Sequence, residues 1–120
     1  DITIYGDGKQ VRDVLFIDDL VNAYLLAAAN PEKVAGKIYN VGGGPDLAMS
    51  VWAEFGPMLE QYLGKVIPVR YADWRPGDQP VYISDIRKIA AELGWTPTIS
   101  VREGVKQLVD WVSSHPDLFK

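Results

Sequence analysis

A planar cation and a carboxylate share one short loop, Arg75-Pro76-Gly77-Asp78. An arginine guanidinium can donate two parallel hydrogen bonds to phosphate oxygens, and a carboxylate accepts from hydroxyl groups such as those of a ribose. This pair of residue types therefore suits a nucleotide diphosphate. The alternative is a surface ion pair between Arg75 and Asp78, which would stiffen a turn that Pro-Gly already dictates.

Short strands and helices alternate along the chain and position this loop. Apolar periodicity, β-branched residues and Gly/Pro breaks predict strands at 2–5, 11–17, 38–41 and 66–71, and helices at 19–29, 50–63, 85–93 and from 101 onward. The first two strands form a hairpin or a pair of short strands across the glycines of residues 6–8. The prediction is an α/β fold of short strands with about four helices.

Local signals set the ends of these helices. Asp18 or Asp19 is expected to cap the first helix, Gly64 and Gly94 to end two others, and Ser100 with Glu103 to form a capping box. Gly56-Pro57 is expected to kink or split helix 50–63.

Two helices carry apolar faces that predict burial. The first is apolar on most of its surface, so we expect cover on more than one side. The last has a stripe predicted to face the core, formed by Val101, Val105, Leu108, Val109 and Val112.

Composition limits the function classes. At 120 residues and 48% hydrophobic content, the chain is expected to form one domain, residues 1–120. A net charge of −4 with scattered Lys and Arg argues against nucleic acid as a partner. The longest apolar stretch, 20–29, is too short to cross a membrane. The chain starts next to a strand without a Met or a leader, so we expect a fragment of a longer protein.

Cysteine and histidine usage narrows the chemistry further. The chain has no cysteine, which removes disulfides and thiolate metal sites and favours a cytoplasmic protein. Its one histidine, His115, lies near the C-terminus, and a His-based metal or acid/base site is not expected.

Several patterns resemble catalytic motifs but have simpler explanations. Tyr5 and Lys9 have Y-x-x-x-K spacing, but two intervening glycines argue against the helix that would align them. Gly42-Gly43-Gly44 lacks the third glycine of a dinucleotide loop and is explained by a tight turn. Among the four tryptophans only Trp74, beside Arg75, is a candidate to lie against a sugar or base. No catalytic residue and no metal ligand is assigned.

Five ordered motifs together resemble one family. They lie at residues 5–19, 39–43, 75–78, 85–88 and 93–97. They resemble the C-terminal portion of extended short-chain dehydrogenases, the NAD-dependent nucleotide-sugar epimerases and dehydratases. Residues 73–87 resemble most those members that act on CDP-linked sugars.

The resemblance implies roles for three residues. Arg12 and Arg75 would hold the diphosphate, and Asp78 would hold the nucleotide ribose. The alternative for Arg12 is a salt bridge with Asp13 or Asp7. Two guanidiniums from separate segments can also clamp a diphosphate on chemical grounds alone.

The resemblance also implies what lies elsewhere. The glycine-rich loop that binds most of the NAD, and the catalytic Tyr and Lys, would precede this chain, so the chain itself is expected to be inactive. It would comprise the substrate-binding portion plus the edge of the Rossmann sheet, and the complete enzyme would be a homo-oligomer. Two alternatives stay open: a nucleoside-diphosphate-sugar dehydratase or reductase, and a non-catalytic binding module.

Overall fold

The computed structural model describes residues 2–119, which form short strands and helices with two small sheets. The strands are β1 (Ile2–Tyr5), β2 (Val11–Asp13), β3 (Ala48–Ser50), β4 (Val69–Ala72) and β5 (Val81–Tyr82). The helices are α1 (Ile17–Ala29), α2 (Pro31–Val34), α3 (Phe55–Leu63), α4 (Arg87–Leu93) and α5 (Val101–Ser114). Short 3₁₀ helices span Pro45–Leu47 and Pro116–Phe119. None of the helices described in this range is long and apolar enough to span a membrane.

Each of the first two strands pairs with a distant part of the chain. β1 runs parallel to β4, with Tyr5 opposite Ala72. β2 is the central strand of the other sheet, antiparallel to β3 and parallel to β5. The predicted turn between them is confirmed, since Gly6 and Gly8 have φ of 77° and 73°. Of the two predicted alternatives, the pair of short strands is confirmed and the hairpin is wrong, because β1 and β2 lie in different sheets.

A small core joins α1 to α4 and to the segment that follows it. Trp95 is 1% exposed and clusters with Ala23 and Ile89. Its indole Nε1–H donates to the backbone oxygen of Asp19 at 3.0 Å. A buried indole needs such a partner, so this bond fixes the depth at which the ring lies against α1.

Asp19 makes a long-range cross-link rather than a helix cap. Its carboxylate accepts from the backbone N–H and the hydroxyl of Thr98 at 3.1 and 2.8 Å, and from the N–H of Ile99 at 3.0 Å. The residue at the N-cap of α1 is Phe16, which makes no side-chain capping bond. The predicted cap at Asp18 or Asp19 is therefore wrong, and Asp18 is exposed.

The other helix ends follow the local signals. Gly64 and Gly94 adopt φ of 66° and 68° at the ends of α3 and α4, as predicted. The Ser100 side chain accepts from the N–H of Glu103 at 3.2 Å, which confirms the cap of α5.

Several predicted elements differ from the structure, and one helix was not predicted. The strand at 11–17 ends at residue 13, because α1 begins at Ile17. Residues 38–41 are not a strand, since no described strand pairs with them. The helix at 50–63 is shorter: β3 ends at Ser50 and α3 begins at Phe55, so Pro57 lies in the first turn, where proline causes no kink. The additional helix α2 begins at Pro31, where we predicted only an end.

Both apolar helices leave part of their surface uncovered. On α1, Val21, Tyr24 and Leu25 are exposed, so cover on more than one side is wrong for the described residues. On α5, Val105 is buried but Leu108 and Val112 are exposed, so the core-facing stripe is confirmed only at its start.

We expect Asp19→Ala to lower the free energy of unfolding by about 1–3 kcal/mol, because the N–H groups of Thr98 and Ile99 lose the carboxylate that accepts their hydrogen bonds. Urea denaturation followed by tryptophan fluorescence measures this change. The matched control is Asp18→Ala, on the exposed side of the same turn, which should change stability by less than about 0.5 kcal/mol. Equal losses in both variants would contradict the cross-link.

Candidate functional site

A cavity of about 300 Å³ collects the charged residues that the sequence singled out. Arg12, Arg75 and Asp78 line it together, with Tyr5 and Gln10 beside them. Three of the four predicted site residues therefore meet, although Arg12 lies far from the other two in sequence. The cavity combines two guanidiniums and one carboxylate with open space for a small charged ligand.

The two sheets carry the opposite walls of this cavity. Arg12 is the middle residue of β2, opposite Met49 of β3 and Tyr82 of β5. Arg75 and Asp78 lie on the loop after β4, which pairs with β1 and so brings Tyr5 to the same place. The turn at residues 6–8 joins these two walls.

Asp13 anchors the strand that presents Arg12. Its carboxylate accepts from the N–H of Gly44 at 3.0 Å and from the N–H of Ser84 at 3.1 Å. Burial alone would raise the pKa of Asp13, but the hydrogen bonds from Gly44 and Ser84 outweigh it and lower the pKa below its ordinary value of 3.8. The carboxylate thus ties β2 to the glycine turn and to the segment before α4.

Arg75 is paired within its own loop. Its Nε lies 3.2 Å from Oδ2 of Asp78, and its guanidinium carbon lies 4.8 Å from the centroid of the Tyr5 ring. The side chain of Arg75 is 62% exposed and that of Asp78 is 19% exposed. The ion pair that was the alternative interpretation of this loop is present, but an exposed pair of this kind contributes at most about 1 kcal/mol. A diphosphate that accepts two hydrogen bonds can compete with it.

Arg12 has no carboxylate partner among the ion pairs of residues 2–119. Its Nη1 donates to the carbonyl oxygen of Val11 at 2.7 Å. The alternative salt bridge with Asp7 or Asp13 is therefore not what the structure contains. The remaining donors of the guanidinium are available to a ligand in the cavity.

Trp74 packs beside the cavity rather than lining it. Its ring occupies the space next to Gly6, where an added Cβ would meet Cε2 at 2.6 Å. The side chain is still 46% exposed and precedes Arg75 directly. Contact of Trp74 with a sugar or base remains a prediction.

Tyr5 and Gln10, which also line the cavity, were not recognised as site residues in the sequence. Tyr5 was considered only for its spacing to Lys9, and the structure places Tyr5 on β1 and Lys9 beyond the following turn, not on a helix. Gln10 was not singled out. Its spacing of two from Arg12 in extended chain could have identified it, because such residues face the same side.

The glycine run at residues 42–44 serves packing. An added Cβ at Gly42 would lie 2.3 Å from the Ser84 hydroxyl, and one at Gly43 would lie 2.2 Å from the Val14 carbonyl oxygen. Close packing against Ser84 and Val14 therefore explains why glycine stands at these positions, without a nucleotide-binding loop. Residues 2–119 contain no cluster of three acidic or histidine side chains suited to a metal ion.

A larger hollow of about 500 Å³ lies between β2, β3 and α5. Its lining is apolar and includes Phe16, Met49, Phe55 and Val105, and its only charged residue is Arg12. A surface of that composition favours another apolar surface over a charged nucleotide. The smaller cavity is therefore the candidate ligand site.

Comparisons with known proteins show which sequences the chain is similar to. A family model described as GDP-mannose 4,6-dehydratase matches residues 1–108. The CDP-paratose 2-epimerase of Salmonella typhi is 40% identical over 114 residues, which cover 93% of this chain and 33% of that protein.

Solved structures give the same result. A UDP-glucuronic acid 4-epimerase from Bacillus cereus, in complex with UDP-glucuronic acid and NAD, matches 93% of this chain and 35% of its own, with a TM-score of 0.83 and 29% identity. A dTDP-glucose 4,6-dehydratase from Streptomyces venezuelae, with NAD bound, matches 97% of this chain and 35% of its own, with a TM-score of 0.84 and 32% identity. These matches confirm the resemblance and the α/β fold, and the chain spans about a third of the length of the relatives it matches.

We expect the free energy of unfolding of Asp13→Asn to depend less on pH in the acidic range than that of the unaltered chain. Because the folded pKa of Asp13 is lowered, its stabilising contribution is present above the ordinary pKa of 3.8 and is lost as the pH falls through the folded value. Urea midpoints of the unaltered chain should fall more steeply than those of Asp13→Asn as the pH drops from about 5 to about 3.

The matched control for this measurement is Asp46→Asn, an exposed carboxylate in the neighbouring 3₁₀ helix, which should keep the full acid dependence. At neutral pH, Asp13→Asn should itself cost about 1–3 kcal/mol, since the amide provides one acceptor and adds donors. An unchanged slope in Asp13→Asn would show that the anchor is not the ionised carboxylate.

Proposed function

The chain belongs to the GDP-mannose 4,6-dehydratase family, and we propose that it is the substrate-binding segment of an NAD-dependent nucleoside-diphosphate-sugar epimerase that acts on a CDP-sugar. The observation that carries the proposal is that Arg12, Arg75 and Asp78 line the same cavity. Within the proposal, residues 1–120 form the C-terminal, nucleotide-sugar-binding portion of the longer enzyme. The chain holds and orients the substrate and has no catalytic residue of its own.

The diphosphate lies between the two arginines. Their guanidiniums reach the cavity from β2 and from the loop after β4, so each can donate to a different phosphate oxygen. The chain as a whole carries a charge of −4, which makes this local pair of cations the feature that selects an anion. Holding the diphosphate at two points fixes the direction in which the sugar extends.

Asp78 holds the ribose. A carboxylate repels phosphate oxygens, so within an anion site it needs either a cation or hydroxyl donors. Arg75 is the cation that Asp78 pairs with now, at 3.2 Å. When the phosphates accept from Arg75, the ribose hydroxyls supply the donors that the carboxylate then requires. Trp74, adjacent in the loop, is proposed to lie near the sugar or base.

NAD is bound mainly by another part of the enzyme. The glycines at residues 42–44 are explained by packing and lack the third glycine of a dinucleotide loop. No residue of this chain is assigned to the cofactor. NAD is present in the solved complexes of the Bacillus cereus epimerase and the Streptomyces venezuelae dehydratase, which supports its use here.

The choice of an epimerase with a CDP-sugar rests on the comparison with the Salmonella typhi CDP-paratose 2-epimerase and on the similarity of residues 73–87 to enzymes of CDP-linked sugars. The near alternative is a dehydratase or reductase for a related nucleoside-diphosphate sugar, favoured by the match to the Streptomyces venezuelae enzyme. The absence of cysteine from the 120 residues supports a cytoplasmic location.

The exposed apolar face of α1 is proposed to pack against the cofactor-binding part of the enzyme. Tyr24 and Leu25 are 71% and 64% exposed, so this face of α1 leaves large apolar side chains in water. We also propose that the complete enzyme is a homo-oligomer. Both interactions would remove apolar surface from water.

Arg75→Ala in the natural full-length protein should weaken the binding of CDP by about 10- to 100-fold, because the phosphates lose charge-assisted hydrogen bonds. Isothermal titration calorimetry at low salt measures the dissociation constant. Arg102→Ala, which removes an exposed arginine on α5 away from the cavity, is the matched control and should leave the constant unchanged. Unchanged binding in Arg75→Ala would remove the proposed clamp and favour a non-catalytic binding module.

The 120-residue chain by itself should self-associate through the exposed face of α1, and Leu25→Glu should shift it toward monomer, since a charge in this face opposes burial. Sedimentation velocity over a range of concentrations measures this. Val66→Glu, at a residue that is 80% exposed outside any helix, is the matched control and should not change the association. A concentration-independent monomer would contradict the proposed interface.

A further inference from the structure

Gln10 is a buried residue of the cavity that has an unused hydrogen-bond acceptor. The residue is 6% exposed and lines the cavity together with Arg12, Arg75 and Asp78. Within residues 2–119 its Nε2 has a partner, whereas its Oε1 is buried and has none. Buried polar atoms are nearly always paired, so an unpaired one in a residue that lines a ligand site points to a ligand group.

The direction of the Gln10 carboxamide is fixed by the strand beside it. Nε2 donates to the carbonyl oxygen of Tyr5 at 2.6 Å. A carbonyl oxygen only accepts, so exchanging the two ends of the amide would set two acceptors against each other. Nε2 and the Trp74 ring also both crowd Gly6, where an added Cβ would lie 2.8 Å from Nε2. The amide is therefore held at its nitrogen end, and its oxygen is the end left for a ligand.

The chemistry of an amide oxygen defines the group that it accepts from. Phosphate oxygens are acceptors and match the two arginines, not Oε1. The donors of a nucleoside-diphosphate sugar that are close to its phosphates are the hydroxyls of the ribose and of the hexose. On the basis of the proposed function, we infer that Oε1 of Gln10 accepts a hydrogen bond from one of these hydroxyls and selects ligands that carry it.

This assignment separates the roles of the cavity residues. Arg12 and Arg75 recognise the phosphates, which many anions possess, whereas Gln10 recognises a hydroxyl that inorganic pyrophosphate lacks. A site with a buried acceptor discriminates against a ligand without the matching donor, because the acceptor stays unpaired in that complex. Gln10 therefore determines which ligand is selected, and the two arginines provide most of the binding affinity.

The inference is tested in the natural full-length protein by measuring the affinities of four ligands for the unaltered protein and for one variant. The ligands are CDP, 2′-deoxy-CDP, 3′-deoxy-CDP and CDP-glucose, and the variant is Gln10→Met, which keeps the length of the side chain and removes the amide. For a ribose hydroxyl, one deoxy analogue should bind the unaltered protein about five- to tenfold more weakly than CDP, and Gln10→Met should not distinguish the two. For a hexose hydroxyl, Gln10→Met should lower the affinity for CDP-glucose by a similar factor relative to CDP.

Equal affinity ratios among the four ligands in both proteins would overturn the inference, since a purely structural Gln10 would change every affinity by the same factor. A measurement without substitution covers the case in which Gln10→Met does not fold. The side-chain amide resonances of Gln10 should shift with CDP or CDP-glucose and not with pyrophosphate, and an identical shift with pyrophosphate would contradict the hydroxyl contact.

The outcomes also separate this inference from the proposed function. If CDP does not bind the unaltered protein, or binds Arg75→Ala equally well, the proposed function fails. If the arginine is required and the ligand ratios do not depend on Gln10, the proposed function stands and the inference alone fails.

Discussion

The carboxylate of Asp13 is the constraint on which the candidate site depends. It is partly buried and accepts backbone hydrogen bonds from Gly44 and from Ser84, which belong to two remote segments. β2 has only three residues, so this anchor contributes much of what keeps the strand in place between β3 and β5. Arg12 is the neighbour of Asp13 on that strand. The carboxylate of Asp13 points to the opposite face of the strand from Arg12, and by anchoring the strand it helps to position Arg12 in the cavity.

The charged residues of the candidate site are only partly neutralised by one another. Arg75 pairs with Asp78 and lies over the ring of Tyr5, but the arginine stays mostly in water. Arg12 has its backbone contact to Val11 and otherwise open donors. The present contacts of the two arginines are weak. An anion that accepts hydrogen bonds from both guanidiniums can therefore replace these contacts at a small cost in free energy. Preorganisation comes from the two sheets rather than from the ion pair.

Local chemistry predicted the features that depend on neighbouring residues. We could predict the glycines that end α3 and α4 and the serine that caps α5, because each of them acts within one turn of helix. The shared loop already joined Arg75 to Asp78, whereas the placement of Arg12 in the same site came from the family resemblance. Asp19 was misread as a cap because its partners, Thr98 and Ile99, are distant in sequence. Residues 38–41 have strand composition, but a strand also requires a partner, which no local pattern reveals.

The parallel pairing of β1 with β4 has a consequence for the order of folding. Arg70 of β4 bonds to Thr3 of β1 across a separation of 67 residues, and the same pairing brings Tyr5 to the loop that carries Arg75. Contacts this distant in sequence require closure of a long loop and form slowly. During synthesis on the ribosome, the cavity cannot exist until β4 has emerged. The nascent chain therefore has a period in which α1, α2 and α3 have emerged and the anion site cannot yet form.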